Sequence, residues 1–215
     1  MLTPARFMGL ALVAWALCFA VLARSGTWLP FALVGAALTV LAFTYRVLPW
    51  ALLRPSFGCV GAGVLGGGVM VLLTHLAYGA SALVVPGVRP ATGALFGLLN
   101  VAGFSAPARA TLIVLIASCE EVLFRGPLLE LAARRERLPT LPLLRRESAR
   151  VLMFAAVYAL ATLPLGSPLL IVCAFACGSI WGWMGLAARS LTVPILAHVI
   201  WDLGVLLVWP LSTRF

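Results

Sequence analysis

The chain has 215 residues, of which 63% are hydrophobic and only 10% charged, with a mean hydropathy of +1.13. A soluble domain carries about 25% charged residues, so this composition excludes a globule clothed in a polar surface. The net charge is +9 and every basic residue is an arginine, but most stand at the ends of apolar runs, where they read as membrane-flanking charges and not as a nucleic-acid face.

At the start of the chain, Arg6 is followed by an apolar stretch from Phe7 to Leu22. The stretch is longer than the apolar region of a usual signal peptide, and no small-x-small cleavage site precedes Arg24, so a retained first transmembrane helix is expected. Run length, with Arg, Pro and Gly as punctuation, predicts an all-α membrane bundle of about seven spans, near 6–23, 29–48, 57–85, 107–132, 148–164, 168–188 and 191–210. A span takes about 20 residues. The segment 91–105 is too short for that and is expected to be re-entrant or interfacial. No repeat or composition break divides the chain, so residues 1–215 read as a single membrane domain.

Glycines cluster at Gly58, Gly61, Gly63, Gly66, Gly67 and Gly68, and Gly178 and Gly182 have GxxxG spacing. Small residues let helices approach closely in lipid, so these predict packing faces and no chemistry. Cys18, Cys59, Cys119, Cys173 and Cys177 all fall in apolar runs; an odd number there reads as packing residues and not a disulfide framework. Arg134, Arg135, Arg137, Arg145, Arg146 and Arg150 bracket one short loop, as arginines do on the side facing anionic cytoplasmic lipid. Counting spans back from that loop puts Arg46, Arg54 and the N-terminus with Arg6 in the cytoplasm, against Arg24, Arg89 and Arg109 outside.

The fourth span contains Ser118-Cys119-Glu120-Glu121-Val122-Leu123-Phe124-Arg125-Gly126. Each charge at mid-helix costs about 2.5–3.5 kcal/mol on insertion scales, so three within six positions need partners or a wet cavity. Glu121 and Arg125, four apart, can pair along one face. Glu120 points about 100° away and remains to be accounted for. As glue between helices, one acid–base pair would suffice; a second, unpaired carboxylate fits a functional site better. In the last span, His198 and Asp202 also share a face at i and i+4. A carboxylate accepting from an imidazole fixes its tautomer and orientation, as in hydrolytic dyads. His-x-x-x-Asp alone is equally a satisfied core pair. With the two glutamates in another span it predicts a site, because ionisable groups inside a membrane are functional candidates by default.

At these residues the chain resembles the CPBP intramembrane proteases, the group of CAAX-processing, bacteriocin-processing and abortive-infection proteins. Glu120-Glu121-x-x-x-Arg125 matches the family's EExxxR, and His198-x-x-x-Asp202 its HxxxN/D; the stretches EEVLFRGPLL and SLTVPILAH read as the family does around its first and last motifs. The resemblance covers about 107–210 and implies a glutamic-type endopeptidase with its catalytic core there. On that pattern Glu120 is the general base that activates water. His198 and Asp202 hold or polarise the water and support the oxyanion, and Arg125 pairs with Glu121 to keep the helix register. An apolar pocket is where a carboxylate can be tuned to that task, with donors on the developing oxyanion supplying the rest. The resemblance also implies a membrane-anchored protein or peptide substrate and, with the surrounding lipid as the other partner, a bacterial inner (plasma) membrane.

The family's middle motif, FxxxH, is broken. Aligning on Leu163-Pro164 puts Tyr158 at the Phe position and Thr162 at the His position, whereas aligning on Phe154 puts Tyr158 where the histidine belongs. Of the chain's two histidines the remaining one, His75, could enter the site from the third span or be a satisfied interior residue. No cofactor is expected. Zinc would have Glu120, His198 and Asp202 as candidate ligands but no second imidazole nearby, and catalytic zinc sites are commonly rich in histidine. Two other functions fit the same residues: a catalytically degenerate module for immunity or partner binding, and a proton-coupled carrier. The carrier would use Glu, His and Asp as relay groups, but no inverted repeat is visible.

Overall fold

Helix ends in this chain carry residues that satisfy unpaired backbone groups. Thr3 caps the first helix, α1 (Pro4–Ser25), by accepting from the Arg6 amide at 3.3 Å, and proline fills the first turn. Gly26 closes the other end in the left-handed region, φ 66°, with its N–H on the Leu22 carbonyl. Ser56 and Ser167 cap α3 (Phe57–Val84) and α8 (Pro168–Ala188) in the same way as Thr3. The computed structural model describes residues 2–99, 104–133 and 146–211, and among these there is no strand. The other helices are α2 (Leu29–Thr44), α4 (Val88–Leu99), α5 (Ala106–Glu120), α6 (Gly126–Ala133), α7 (Glu147–Ala161) and α9 (Thr192–Asp202). Single π turns follow α5 at Glu121–Arg125 and α9 at Leu203–Val208.

The chain is a polytopic helical membrane bundle. Pro4–Ser25, Phe57–Val84, Glu147–Leu165 and Pro168–Ala188 are long and apolar enough to cross a membrane, and Leu29–Thr44, Val88–Leu99 and Thr192–Val208 are apolar but shorter. The structure moves several boundaries. The second helix ends at Thr44 and not near 48, because Arg46 turns left-handed (φ 52°) and Val47 and Leu48 fold back onto the Ala42 carbonyl. The fourth predicted span is a helical rod from Ala106 to Ala133 with a π turn in its middle. Of the segment expected at 91–105, residues 91–99 are the end of α4, a helix that starts at Val88, and 104–105 lead into α5; the twelve residues of α4 make about 18 Å, too short to span. Arg134, Arg135, Arg137 and Arg145 lie outside the described residues.

Two helix pairs build the frame: α3 lies along α9, and α7 along α8. Glycine permits the first contact. A Cβ on Gly63 would lie 2.8 Å from the Leu196 Cβ, and one on Gly67 2.9 Å from the Ala197 carbonyl oxygen, so α9 sits against the backbone of α3. Trp201 of α9 fastens the pair by donating its indole N–H to the Thr74 hydroxyl at 2.8 Å. Polarity runs opposite to that of a soluble domain. Leu17, Leu33, Leu65 and Leu83 face outward, while Glu120, Glu121, Arg125, Arg150 and His198 are buried. Lipid solvates the leucines as well as a core would; it cannot solvate the charges, which therefore turn inward.

Candidate active site

The site forms where the rod α5–α6 crosses α9. At the end of α5 the Gly126 N–H reaches the Glu121 carbonyl, one residue beyond the α-helical step, so the EExxxR stretch is a π turn. Such single-turn insertions recur at functional sites. Glu120 and Glu121 keep α-helical backbone angles and leave the helix in different directions, yet both carboxylates reach the same imidazole. His198 Nδ1 donates to Glu121 Oε1 at 2.8 Å. His198 Nε2 lies 3.6 Å from Glu120 Oε2 and 3.4 Å from Asp202 Oδ2. Glu121 is thus more than the partner of Arg125, whose Nη1 lies 3.3 Å from the same Oε1.

Aromatic rings fix the orientation of this cluster. Trp181 of α8 stacks on the His198 ring, centroids 3.6 Å apart and planes 21° from parallel. The Arg125 guanidinium lies over Tyr158, 4.4 Å from the ring centroid, and 5.3 Å from that of Trp181. Gly178 gives it room: a Cβ there would stand 2.8 Å from Arg125 Nη2 and 3.2 Å from Tyr158 Cδ1. The GxxxG pair therefore does more than pack helices, since one of its glycines shapes the site. Glu121 Oε2, Arg125 Nη1 and Nη2, and Trp181 Nε1 are buried without a hydrogen-bond partner, which leaves donors and an acceptor available around the imidazole.

The three candidates for the missing histidine separate cleanly. Tyr158 of α7 donates its hydroxyl to Glu120 Oε2 at 2.8 Å. Thr162, one turn further, is buried but donates to its own helix, at the Ala159 carbonyl, 2.8 Å away. His75 is held elsewhere. Its ring nitrogens lie 2.9 Å from the Val71 and Trp209 carbonyl oxygens, and the ring stacks on Trp209 at 3.8 Å. The structure therefore brings Tyr158 to Glu120 and does not bring Thr162 or His75 there. Among the described residues no group of three or more His, Cys, Asp or Glu side chains could hold a metal ion.

Sequence reasoning missed Trp15 and Trp181. Trp15 Nε1 donates to Glu120 Oε1 at 2.7 Å, across the bundle from α1. The available signal was chemical: a tryptophan deep in an apolar span carries an N–H that needs an acceptor when buried, and Glu120 was the acceptor in excess.

The composition of the cluster, two adjacent glutamates, an arginine, a histidine and an aspartate on two crossing helices, coincides with a family match. The profile of the type II CAAX prenyl endopeptidase Rce1-like proteins, a branch of the CPBP proteases, covers residues 102–204. Residues 102–204 are an Rce1-like domain. No match to the chain was found among curated proteins or among solved structures. The Rce1-like domain includes Glu120, Glu121, Arg125, Tyr158, Thr162, His198 and Asp202, and leaves Trp15 and His75 outside. Its family is one of membrane proteases, which makes the chain at this coarse level an integral membrane protein with a peptidase domain and a membrane-associated protein as the class of substrate.

Proposed function

We propose that the chain is an intramembrane endopeptidase in which Glu120 activates water for attack on a peptide carbonyl of a membrane-anchored substrate. The observation that carries this reading is the setting of Glu120 Oε2, 2.8 Å from the Tyr158 hydroxyl and 3.6 Å from His198 Nε2, inside a buried cluster. In the proposed step, Glu120 takes a proton from water and the water oxygen bonds to the carbonyl carbon, leaving a tetrahedral oxyanion. The proton then passes to the amide nitrogen as the C–N bond breaks, releasing a carboxylate and an amine. His198 as an imidazolium would donate from both nitrogens, Nδ1 to Glu121 and Nε2 to the oxyanion, with Asp202 balancing its charge. Tyr158, which donates to Glu120 Oε2, would take the part of the histidine missing from the middle motif as a neutral donor. No step passes through a metal. The arginine distribution supports an orientation with the N-terminus in the cytoplasm, and the membrane of this proposal is a bacterial inner membrane.

The test is cleavage of a quenched-fluorescent prenylated CAAX peptide by the purified protein in liposomes. Glu120→Gln and His198→Ala should each lose at least about 100-fold in rate, the low end of what a general base contributes, while still inserting. Full cleavage by both variants would sink the mechanism. A second reading is favoured by one observation: Thr162 is turned away and no imidazole from α7 reaches Glu120. On that reading the scaffold is a degenerate immunity or partner-binding module. It predicts no cleavage by the wild type and a biological phenotype that survives Glu120→Gln.

A further inference from the structure

We propose that Trp15, on α1 and outside the Rce1-like domain, is a positioning residue that aims the Glu120 carboxylate. The inference rests on the general-base reading of Glu120 and adds the element that holds the base in place. Glu120 is gripped at both oxygens: Trp15 Nε1 donates to Oε1 at 2.7 Å and Tyr158 to Oε2 at 2.8 Å. Donors from two different helices remove the rotation of the carboxylate about its last bond. The oxygen that Tyr158 holds is then always the one turned to His198 Nε2. A misplacement of about 1 Å in such a group can lower a rate on the order of 100-fold.

The indole has a built seat. Trp15 is fully buried, edge-on to Phe31 of α2 at 5.1 Å and to Phe124 of the π turn at 6.4 Å. Gly35 leaves the space for it, since a Cβ there would stand 3.0 Å from Trp15 Cη2 and 2.9 Å from the Cys119 Cβ, one residue before the base. A ring packed on three sides has one direction left for its N–H. That direction is Glu120 Oε1. The N-terminal helix is therefore part of the site, although the family profile begins far beyond it.

A buried indole needs an acceptor wherever it lies, so the experiment must separate the donor from the shape. Trp15 is replaced, site-specifically, by benzothienylalanine, which keeps the ring and puts sulfur in place of N–H, and in parallel by 5-fluorotryptophan, which keeps both. Cleavage of the prenylated CAAX peptide in liposomes is compared with wild type, Trp15→Phe and Glu120→Gln. The expected result is a kcat about 10- to 100-fold lower for benzothienylalanine and Trp15→Phe, with KM unchanged and unfolding temperature held for benzothienylalanine. The fluorotryptophan protein should keep the wild-type kcat. Should benzothienylalanine retain full kcat while Glu120→Gln is inactive, the positioning role is overturned and the general base stands. Equal losses for benzothienylalanine and fluorotryptophan would assign Trp15 to packing alone. Cleavage by Glu120→Gln would remove the general base and this proposal with it. If Trp15→Phe does not fold, the benzothienylalanine protein decides.

Discussion

Glu120 holds two hydrogen bonds that its own helix does not supply, and one of them comes from Tyr158. Tyr158→Phe keeps the ring beneath Arg125 and beside Phe124 but deletes the donor. We expect kcat to fall about 10- to 100-fold without loss of fold, somewhat less than for an oxyanion-hole donor, since Tyr158 donates to the base and not to the oxyanion. Thr162→Val removes only a bond within α7, so kcat should stay within about twofold and stability should drop by about 1 kcal/mol. Cleavage kinetics and thermal unfolding of the two variants check both statements. The ionisable members of the cluster were legible in the sequence, because Glu120, Glu121, Arg125, His198 and Asp202 stand in spans where charge is expensive. The choice between Tyr158 and Thr162 was not. Four residues apart, they share a helix face and differ by about 6 Å along the axis, and local sequence does not say which of them lies level with a carboxylate on another helix. Flanking Leu163-Pro164 favoured Thr162; the crossing of α7 and α5 favoured Tyr158.

Helix period and helix junctions explain the next level. The i, i+4 rule placed Glu121 with Arg125 and His198 with Asp202, and both pairs are seen. The π turn at 121–125 had no sequence signal, and neither did the meeting of both glutamate side chains on one imidazole of α9. Close approach of α8 is another property of the element. Gly178→Val should push against Arg125 Nη2 and Tyr158, which are within 3.2 Å of the added Cβ. Overpacking of this kind costs about 1–3 kcal/mol, and the rate should fall with the stability because Tyr158 and Arg125 hold Glu120 and Glu121. Gly58 on α3 has nothing within 4 Å of its Cβ position, so Gly58→Ala should change stability by no more than about 0.5 kcal/mol. Unfolding of the two variants in detergent distinguishes a glycine required by packing from one that merely sits in a glycine-rich stretch.

Across the whole molecule, apolar side chains face outward and a charged cluster lies at the centre. Breaking that cluster on one side should be severe. Arg125→Ala removes the guanidinium from buried Glu121 and leaves His198 as its remaining partner, a loss on the order of 3 kcal/mol, read as a lower unfolding temperature and a reduced yield of inserted protein. Glu121→Gln with Arg125→Met should recover part of that loss, because neither partner is then charged. From the sequence alone, run length, Arg, Pro and Gly punctuation and the expense of charge in lipid determined an all-helical membrane bundle with a carboxylate–imidazole centre between its fourth and last predicted spans. Only the tertiary structure decided which donors meet Glu120: Trp15, 105 positions earlier, and Tyr158, 38 later. The physical reason is that a sequence carries the period of each helix, and so its faces, but not the rotation and height at which one helix meets another. Those are set by where glycines such as Gly35, Gly67 and Gly178 let backbones and rings come together.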